Sequence, residues 1–279
     1  MKFGVCNEIF QGWKIDEVVR YAAGLGYDGV ELAPFTLART VNDLSPARRQ
    51  AIRDSAARAG IEICGLHWLL ARTEGLHLSH PDASIRNRTG VYLRDLVDCC
   101  ADLGGKILVL GSPRQRNILP GVTPAQAWEM TAATLTGAVR RAEERSVILG
   151  LEPLSPSETN FINTAAEAMR FAAQFKSPAL QIILDVKAMS EEAKTIPEII
   201  RQSWPHFVHF HANDSNRRGP GFGRVDFRPI AAALKETGYA GYISVEVFHF
   251  EEGPETIATQ SLDYLRNTFS ETSGVRRIS

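Results

Sequence analysis

The 279-residue sequence lacks the features that mark several large classes of protein. Its four cysteines, Cys6, Cys64, Cys99 and Cys100, show no CxxC or zinc-ribbon spacing, so we expect reduced structural thiols. No apolar run approaches the length of a membrane span, and no leader-like segment precedes the first apolar strand pattern. The net charge of -1 offers no polycationic surface for phosphates. These absences predict a cytoplasmic protein that binds neither nucleic acid nor membrane and acts on a small molecule.

Three sequence motifs that would indicate particular chemistries are also absent from the positions that each chemistry requires. No GxGxxG lies directly after the first strand pattern, since GLGYDG at 24–29 precedes the second strand instead, and no GxxxxGK[ST] occurs, so the phosphate cradles of nucleotide-binding open sheets are absent. No GxSxG is present, and covalent hydrolysis therefore has no support.

Eight short apolar runs alternate with longer segments of helical period. The helical segment after the third run carries an apolar stripe at Leu93, Leu96, Val97, Cys100 and Leu103, as expected for a helix that packs one face on a sheet. The eight runs are FGVC, GVEL, IEICGL, KILVLG, VILGLE, QIILD, FVHFH and YISVEVF.

Eight such repeats predict a parallel sheet covered by helices, and at this length a single-domain α/β fold, the closed (β/α)8 TIM barrel, is the economical solution. A doubly wound open sheet is the alternative. The motif GLGYDGVEL at 24–32 recurs as ETGYAGYISVEV at 236–247, which indicates one βα unit reused at both ends. We expect one domain over residues 1–270 and a flexible C-terminal tail over 271–279.

In a TIM barrel the functional groups lie at the carboxyl ends of the strands. The last four strand patterns end at Glu152, Asp185 and His211 and, in SVEVF, at Glu246. Three carboxylates alone in an apolar mouth would repel one another, whereas a divalent cation neutralises them and also uses the imidazole. The pattern predicts one divalent metal ion per chain, Mn²⁺ first and then Co²⁺, Mg²⁺ or Zn²⁺; the alternative is that each acid caps a helix or pairs with a neighbour. His209 shares the strand face of His211 one layer deeper, as a core histidine.

Other polar and aromatic residues follow the earlier strands. His67 and Trp68 could form a wall against which a sugar face stacks, or could be plain packing. Arg114 and Arg116 could clamp a phosphate or carboxylate of a substrate, or could be solvated loop charge. Glu31, at the end of the second strand, is a further pocket candidate.

From GLEP through ILD, HFHANDSNRRGPGFGRVDF and GYAGYISVEVF, the chain resembles the xylose isomerase-like TIM barrels. This group includes D-tagatose and D-psicose 3-epimerases, inosose isomerases and endonuclease IV. The resemblance implies that the four strand-end residues bind one metal, that Glu152 and Glu246 exchange protons with substrate, and that the protein forms a dimer or tetramer. It further implies that Glu158 and Arg217 contact sugar hydroxyls and that Phe248 lines the pocket.

The predicted function is a metal-dependent keto-sugar isomerase or epimerase that removes a proton next to a carbonyl through a metal-stabilised enediolate. A lyase or dehydratase could use the same site, and an endonuclease IV-like phosphodiesterase or a non-catalytic sugar-binding barrel are lesser alternatives. The 3-epimerases carry a substrate-binding histidine three residues after the strand-end aspartate, where this chain has Ala188, next to Lys187. The exact sugar therefore stays open.

Overall fold

Eight parallel strands follow one another around a closed barrel, with the first paired to the last. The structure is a computed structural model and describes residues 1–271. A closed barrel leaves no sheet edge, which confirms the predicted fold over the open-sheet alternative. The strands are β1 (Lys2–Cys6), β2 (Gly29–Leu32), β3 (Glu62–Leu66), β4 (Ile107–Leu110), β5 (Ile148–Leu151), β6 (Leu180–Asp185), β7 (Phe207–Ala212) and β8 (Tyr242–Val245).

Helices connect the strands and cover the outside of the barrel. Four short 3₁₀ helices lie in the loops that follow the carboxyl ends of the strands, at 7–9, 34–36, 41–43 and 113–115. The predicted tail begins at the last residue of the final helix, Glu271, and the rest of it lies outside the described residues. The α-helices are α1 (Ile15–Leu25), α2 (Pro46–Ala59), α3 (Ala83–Leu103), α4 (Pro124–Arg145), α5 (Ala165–Ala173), α6 (Val186–Met189), α7 (Ile196–Ser203), α8 (Phe227–Glu236) and α9 (Pro254–Glu271).

Within residues 1–271, every helix is too short or too polar to cross a bilayer. All four cysteines are buried and unpaired, as the spacing predicted.

The repeated Gly-Tyr motif marks a turn that only glycine adopts without strain. Gly26 ends α1 with φ 93°, and Gly238 follows α8 with φ 74°, both in the left-handed region. The tyrosines that follow, Tyr27 and Tyr239, are buried as the chain turns into β2 and β8. The same local chemistry thus directs the chain from helix to strand at both positions.

The core has two parts. Between strands and helices, the predicted stripe on α3 is buried: Leu93, Leu96, Val97, Cys100 and Leu103. Inside the barrel, by contrast, several strands contribute polar side chains. Glu31 on β2 contacts His209 on β7, and because β2 and β7 are not neighbours, this contact crosses the barrel interior.

Two shifts in strand register lie beside these interior residues. The pairing of β2 with β3 shifts between Val30 and Glu31, so that Glu31 lies opposite Gly65. The pairing of β6 with β7 shifts between Ile182 and Ile183, so that Ile183 lies opposite His209. An extra residue on one strand re-aims the side chains that follow, and here it helps to decide which side chains enter the interior.

Replacing Gly65 by alanine should destabilise the barrel, because the added methyl group would overlap the backbone carbonyl of Ile107 on β4. Backbone cannot yield as a flexible side chain does, and we expect a loss of about 3 kcal/mol in the free energy of unfolding, measured by urea denaturation. Gly24→Ala in α1 is the matched control, since its methyl group meets open space and should stabilise by about 0.5–1 kcal/mol. Equal unfolding midpoints for the two variants would contradict the close β3–β4 approach.

Candidate metal and active site

The four predicted ligands meet at one end of the barrel. Glu152, Asp185, His211 and Glu246 each offer one ligand atom, and these atoms lie within 4.8 Å of one another. All four residues are buried, at 7%, 0%, 0% and 4% exposure. They follow or end β5, β6, β7 and β8, four neighbouring strands, so the barrel geometry alone brings them together.

His211 has a carboxylate on each side of its ring. Its Nδ1 lies 3.1 Å from Glu246 Oε2 and 3.5 Å from Glu152 Oε1. Its Nε2 lies 3.2 and 3.3 Å from the two oxygens of Glu31. Glu31 also holds His209 Nε2 at 2.8 Å. A carboxylate on the far nitrogen fixes the ring orientation of a metal-binding histidine, and Nδ1 is thereby left to face the cluster.

Burial and neighbouring charge shift the acid–base properties of the cluster strongly. Burial lowers the pKa of His211, but the carboxylates of Glu246 and Glu31 raise it well above its usual value. Burial raises the pKa of Glu246, yet the contacts with His211 and His67 bring it well below its ordinary range. The pKa of Asp185 rises to about 7, mainly through burial and despite the nearby charge of Lys187.

Asp185 is held in place by two further hydrogen bonds. Its Oδ1 accepts from the backbone N–H of Ala188 at 2.7 Å, which caps α6. Its Oδ2 accepts from the Asn213 side chain at 2.5 Å, and Asn213 Oδ1 in turn accepts from the backbone of Lys187 at 2.8 Å. The helix cap proposed as an alternative role thus exists at Asp185, where it fixes the carboxylate within the cluster.

The donor set fits a divalent cation. Three carboxylates and one imidazole converge, and the buried His211 Nδ1 and Glu246 Oε2 lie 3.1 Å apart in a geometry that makes no regular hydrogen bond for either atom within residues 1–271. Buried polar atoms of this kind are costly unless a ligand uses them. Mixed oxygen and nitrogen donors suit Mn²⁺ and similar borderline ions. The residues therefore form a candidate centre for a divalent cation.

A small inner pocket of about 30 Å³ adjoins the cluster and is lined by both Glu152 and Glu246. The buried ammonium group of Lys187 lies 2.6 Å from Glu158 Oε1 and 4.3 Å from the centre of the Phe248 ring. In the sequence Lys187 was noted only as the neighbour of Ala188, although its position two residues after the strand-end Asp185 was the available signal. His67, Trp68, Glu158, Lys187 and Phe248 are among the lining residues.

His67 links Glu246 to a residue that the sequence analysis missed. Its Nδ1 lies 3.3 Å from Glu246 Oε1, and its Nε2 lies 2.9 Å from Glu8 Oε2. Burial lowers the pKa of His67, but Glu8 and Glu246 raise it to about 10. Glu8 follows the end of β1, just as Glu152 follows the end of β5, and that position was its only signal in the sequence.

The three arginines proposed as substrate contacts have different surroundings. Arg116 is 1% exposed, and its guanidinium donates to the backbone carbonyls of Glu152 at 2.6 Å and Ile162 at 2.8 Å. The guanidinium of Arg116 is therefore occupied by backbone carbonyl groups of two loops and does not point toward a ligand. Arg114 is exposed beside the mouth of the site, and Arg217 is exposed in the loop after β7 with φ 68°.

The sequence profile of the family described as "Xylose isomerase-like TIM barrel" matches residues 19–268. The chain belongs to this family. It is similar to the D-psicose 3-epimerase of Agrobacterium fabrum, with 28% identity over 256 residues that cover 89% of this chain and 85% of the relative. It is also similar to the 3-dehydro-D-guloside 4-epimerase of Escherichia coli K12, with 25% identity and coverage of 95% and 99%.

A solved structure of D-psicose 3-epimerase with D-tagatose, from Clostridium cellulolyticum H10, has the same fold. It superimposes with a TM-score of 0.84 at 22% identity, over 96% of this chain and 99% of the other. The family and the barrel predicted from sequence are thus confirmed. The curated relatives are sugar epimerases, in agreement with the predicted isomerase or epimerase class.

Replacing Glu31 by glutamine should weaken cation binding although Glu31 lies outside the proposed ligand set. The glutamine amide lacks the negative charge by which Glu31 orients His211 through its Nε2 atom. Removing such a partner of a metal-binding histidine typically lowers metal affinity by about 10- to 100-fold. Competition with a fluorescent chelator for Mn²⁺ measures the effect. Glu62→Gln, at the exposed start of β3, is the control and should bind as the unaltered protein does. An unchanged affinity in the Glu31 variant would remove Glu31 from the centre.

Cation binding should also weaken as the pH falls. The pKa of His211 is raised well above its usual value, so the ring is protonated at neutral pH, and its Nδ1 must lose that proton to take a cation. Asp185, with a pKa of about 7, must be ionised as well. Binding therefore releases protons, and the affinity for Mn²⁺ should rise as the pH increases through 7. Titration calorimetry in buffers of different ionisation enthalpy counts the protons; a buffer-independent heat would be incompatible with this.

Proposed function

We propose that this protein is a divalent-metal-dependent keto-sugar epimerase or isomerase, with Glu152 and Glu246 as its proton-transferring pair. The named relatives support the reaction class, since a D-psicose 3-epimerase and a 3-dehydro-D-guloside 4-epimerase each change one carbon of a sugar. Membership of the family supports the fold on which such chemistry would take place.

One observation carries the proposal. Glu152 and Glu246 come from β5 and β8, on opposite sides of the β6 and β7 ligands, yet both line the same inner pocket. His211 lies between them, 3.5 Å from one carboxylate and 3.1 Å from the other. Two carboxylates that approach one small space from different strands are what inversion at a single carbon requires, because the proton leaves on one face and returns on the other.

A divalent ion held by the four ligands would stabilise the negative charge that a substrate carbonyl oxygen acquires when a neighbouring C–H bond breaks. Glu246 removes that proton, since His211 and His67 favour its ionised form. The C–H electron pair moves toward the carbonyl oxygen and then returns to the same carbon, where it forms a new C–H bond with a proton that Glu152 delivers from the other side. Proton exchange of the two carboxyl groups with solvent resets the pair and carries solvent deuterium into the product. The reverse reaction exchanges the two roles. Arg116 donates a hydrogen bond to the backbone carbonyl of Glu152 and so holds the loop that carries Glu152 in place.

Neighbouring side chains would position the sugar. Trp68 and Phe248, with ring centres 5.9 Å apart, offer apolar faces at the pocket, and Glu158 offers a carboxylate oriented by Lys187. We propose these residues and His67 as substrate contacts, with Arg114 at the outer edge. The role of Arg217 stays a prediction, and we do not propose Arg116 as a contact.

We further propose that the cation is Mn²⁺, one per chain, and that the substrate is a small carbohydrate. The oxygen-rich donor set with one imidazole supports this choice over a thiolate-preferring ion. The dimeric or tetrameric state and the cytoplasmic location stay predictions.

The test is solvent-deuterium exchange, followed by NMR, on ketoses, keto-inositols and keto-glycosides with the Mn²⁺-loaded protein. Deuterium should enter at a carbon next to the carbonyl, and Glu152→Gln or Glu246→Gln should slow that entry by about 100-fold or more, because each removes a proton-transferring group. Glu129→Gln, exposed on α4, is the control and should exchange at the unaltered rate.

Two outcomes would contradict the proposal. Exchange that persists in both glutamine variants would remove the two glutamates from the chemistry. Loss of a substituent from the substrate, in place of inversion or isomerisation, would instead establish a lyase acting through the same groups.

A further inference from the structure

A wide cleft opens beside the inner pocket. It has a volume of about 1000 Å³, at the top of the range of about 300–1,000 Å³ found for pockets that hold drug-sized ligands. The loops that follow β1, β2, β3, β4 and β8 form its walls. Its aromatic lining residues are Phe10, Trp13, Phe35, Trp68, Phe248 and Phe250.

The cleft and the inner pocket are neighbours, since both are lined by Trp68, Ser112, Pro113 and Phe248. The inner pocket offers about 30 Å³ of accessible space, whereas the cleft offers about 1000 Å³, so most of the room for a substrate lies in the cleft. A substrate whose reacting carbon reaches Glu152 and Glu246 must therefore extend past Trp68 and Phe248 into the cleft. The cleft is also larger than the remainder of a single sugar ring would need.

The chemistry of the cleft suits a carbohydrate better than a purely apolar group. Aromatic faces pack on the C–H faces of sugar rings, while polar side chains at the rim bind their hydroxyls. The guanidinium carbon of Arg72 lies 4.4 Å from the centre of the Phe35 ring. Together the two side chains offer a flat aromatic surface with N–H donors beside it. Gln11, Thr36, Thr73, Arg114 and Gln115 add further polar groups around the same space.

The backbone around the cleft is strained at three residues. Trp68, Arg72 and Ser112 have φ values of 52°, 59° and 47°, a region that side chains other than glycine rarely adopt. Such strain clusters at binding and catalytic sites. The indole N–H of Trp68 is, in addition, buried without a hydrogen-bond partner among the described residues, and a ligand oxygen would satisfy it.

We propose that the cleft is a binding site for a second sugar ring, so that the substrate is a keto-sugar joined to another sugar and not a free monosaccharide. The reacting keto-sugar unit occupies the inner pocket, Trp68 and Phe248 pack against the linkage, and Phe35 with Arg72 binds the distal ring. The inference rests on the proposed function and extends it to the class of substrate.

Three compounds with the same reacting unit test the inference: a methyl keto-glucoside, the same unit joined to glucose, and its phenyl glycoside. The Mn²⁺-loaded protein should exchange deuterium into the keto-disaccharide with a kcat/KM about tenfold higher than into the methyl compound, since one well-packed ring contact is worth about that factor. Phe35→Ala and Arg72→Ala should reduce this preference. Arg58→Ala, exposed near the end of α2 that leads into β3, is the matched control and should keep it.

Each contrary outcome has a distinct meaning. Equal kcat/KM for the methyl compound and the disaccharide would overturn the second-ring site while leaving the epimerase proposal intact. A preference for the phenyl glycoside over the disaccharide would overturn the sugar as occupant. If none of the three exchanges deuterium while a free ketose or keto-inositol does, the second-ring site is overturned and the proposed function stands. If no compound of either panel exchanges, the proposed function fails, and calorimetric affinities for the three compounds then decide the cleft separately: a disaccharide preference sensitive to Phe35 and Arg72 supports it, and equal affinities overturn it.

Discussion

The contact between Glu31 and His211 is the interaction on which the rest of the centre depends. An imidazole bound on one nitrogen alone could turn its other nitrogen away from the cluster. Here both oxygens of Glu31 lie 3.2–3.3 Å from Nε2, and Glu31 is itself fixed by His209 at 2.8 Å. Because this anchor is fully buried, water does not compete with it, and the ring presents Nδ1 to the carboxylates of Glu152 and Glu246.

The same anchor explains how so many acids are tolerated inside the barrel. An isolated buried carboxylate would take up a proton or destabilise the fold. Instead, Glu31 lies between His209 and His211, and Glu246 lies between His211 and His67. His67 contacts two acids, Glu8 and Glu246, and His211 contacts three, so the charges form a chain across the barrel. Asp185 stands apart because backbone and amide donors hold it, and its pKa of about 7 reflects burial that its neighbours do not fully offset.

The sequence predicted the barrel and the four ligands because both follow from repetition. Parallel strands of similar length bring their carboxyl ends to one rim, so Glu152, Asp185, His211 and Glu246 could be placed together without coordinates. Glu31 entered only as a pocket candidate, and its role under His211 was missed, because it depends on which residues face each other across the interior.

Two features hid that relation. The register shifts pass over Cys64 on β3 and Val208 on β7 and alter which side chains point inward, and nothing in IEICGL or FVHFH signals them. Arg116 misled for a related reason: a charged residue in a loop suggests a substrate clamp, whereas the carbonyls that bind it come from Glu152 and Ile162, far along the chain. Such roles depend on contacts between residues that are far apart in the chain, and the local sequence pattern carries no information about those contacts.

The two halves of the barrel contribute different parts of the site. The four proposed cation ligands lie at or next to the carboxyl ends of β5 to β8, whereas the wide cleft is formed mainly by loops after β1 to β4. Trp68, from the β3 loop, and Phe248, from the β8 loop, border both spaces. Loops on one rigid scaffold vary with little effect on the strands beneath them. The first half of the chain can therefore change what fits in the cleft while the second half keeps the carboxylates and imidazole in place, and under the proposed function Trp68 and Phe248 would link the group in the cleft to the reacting carbon.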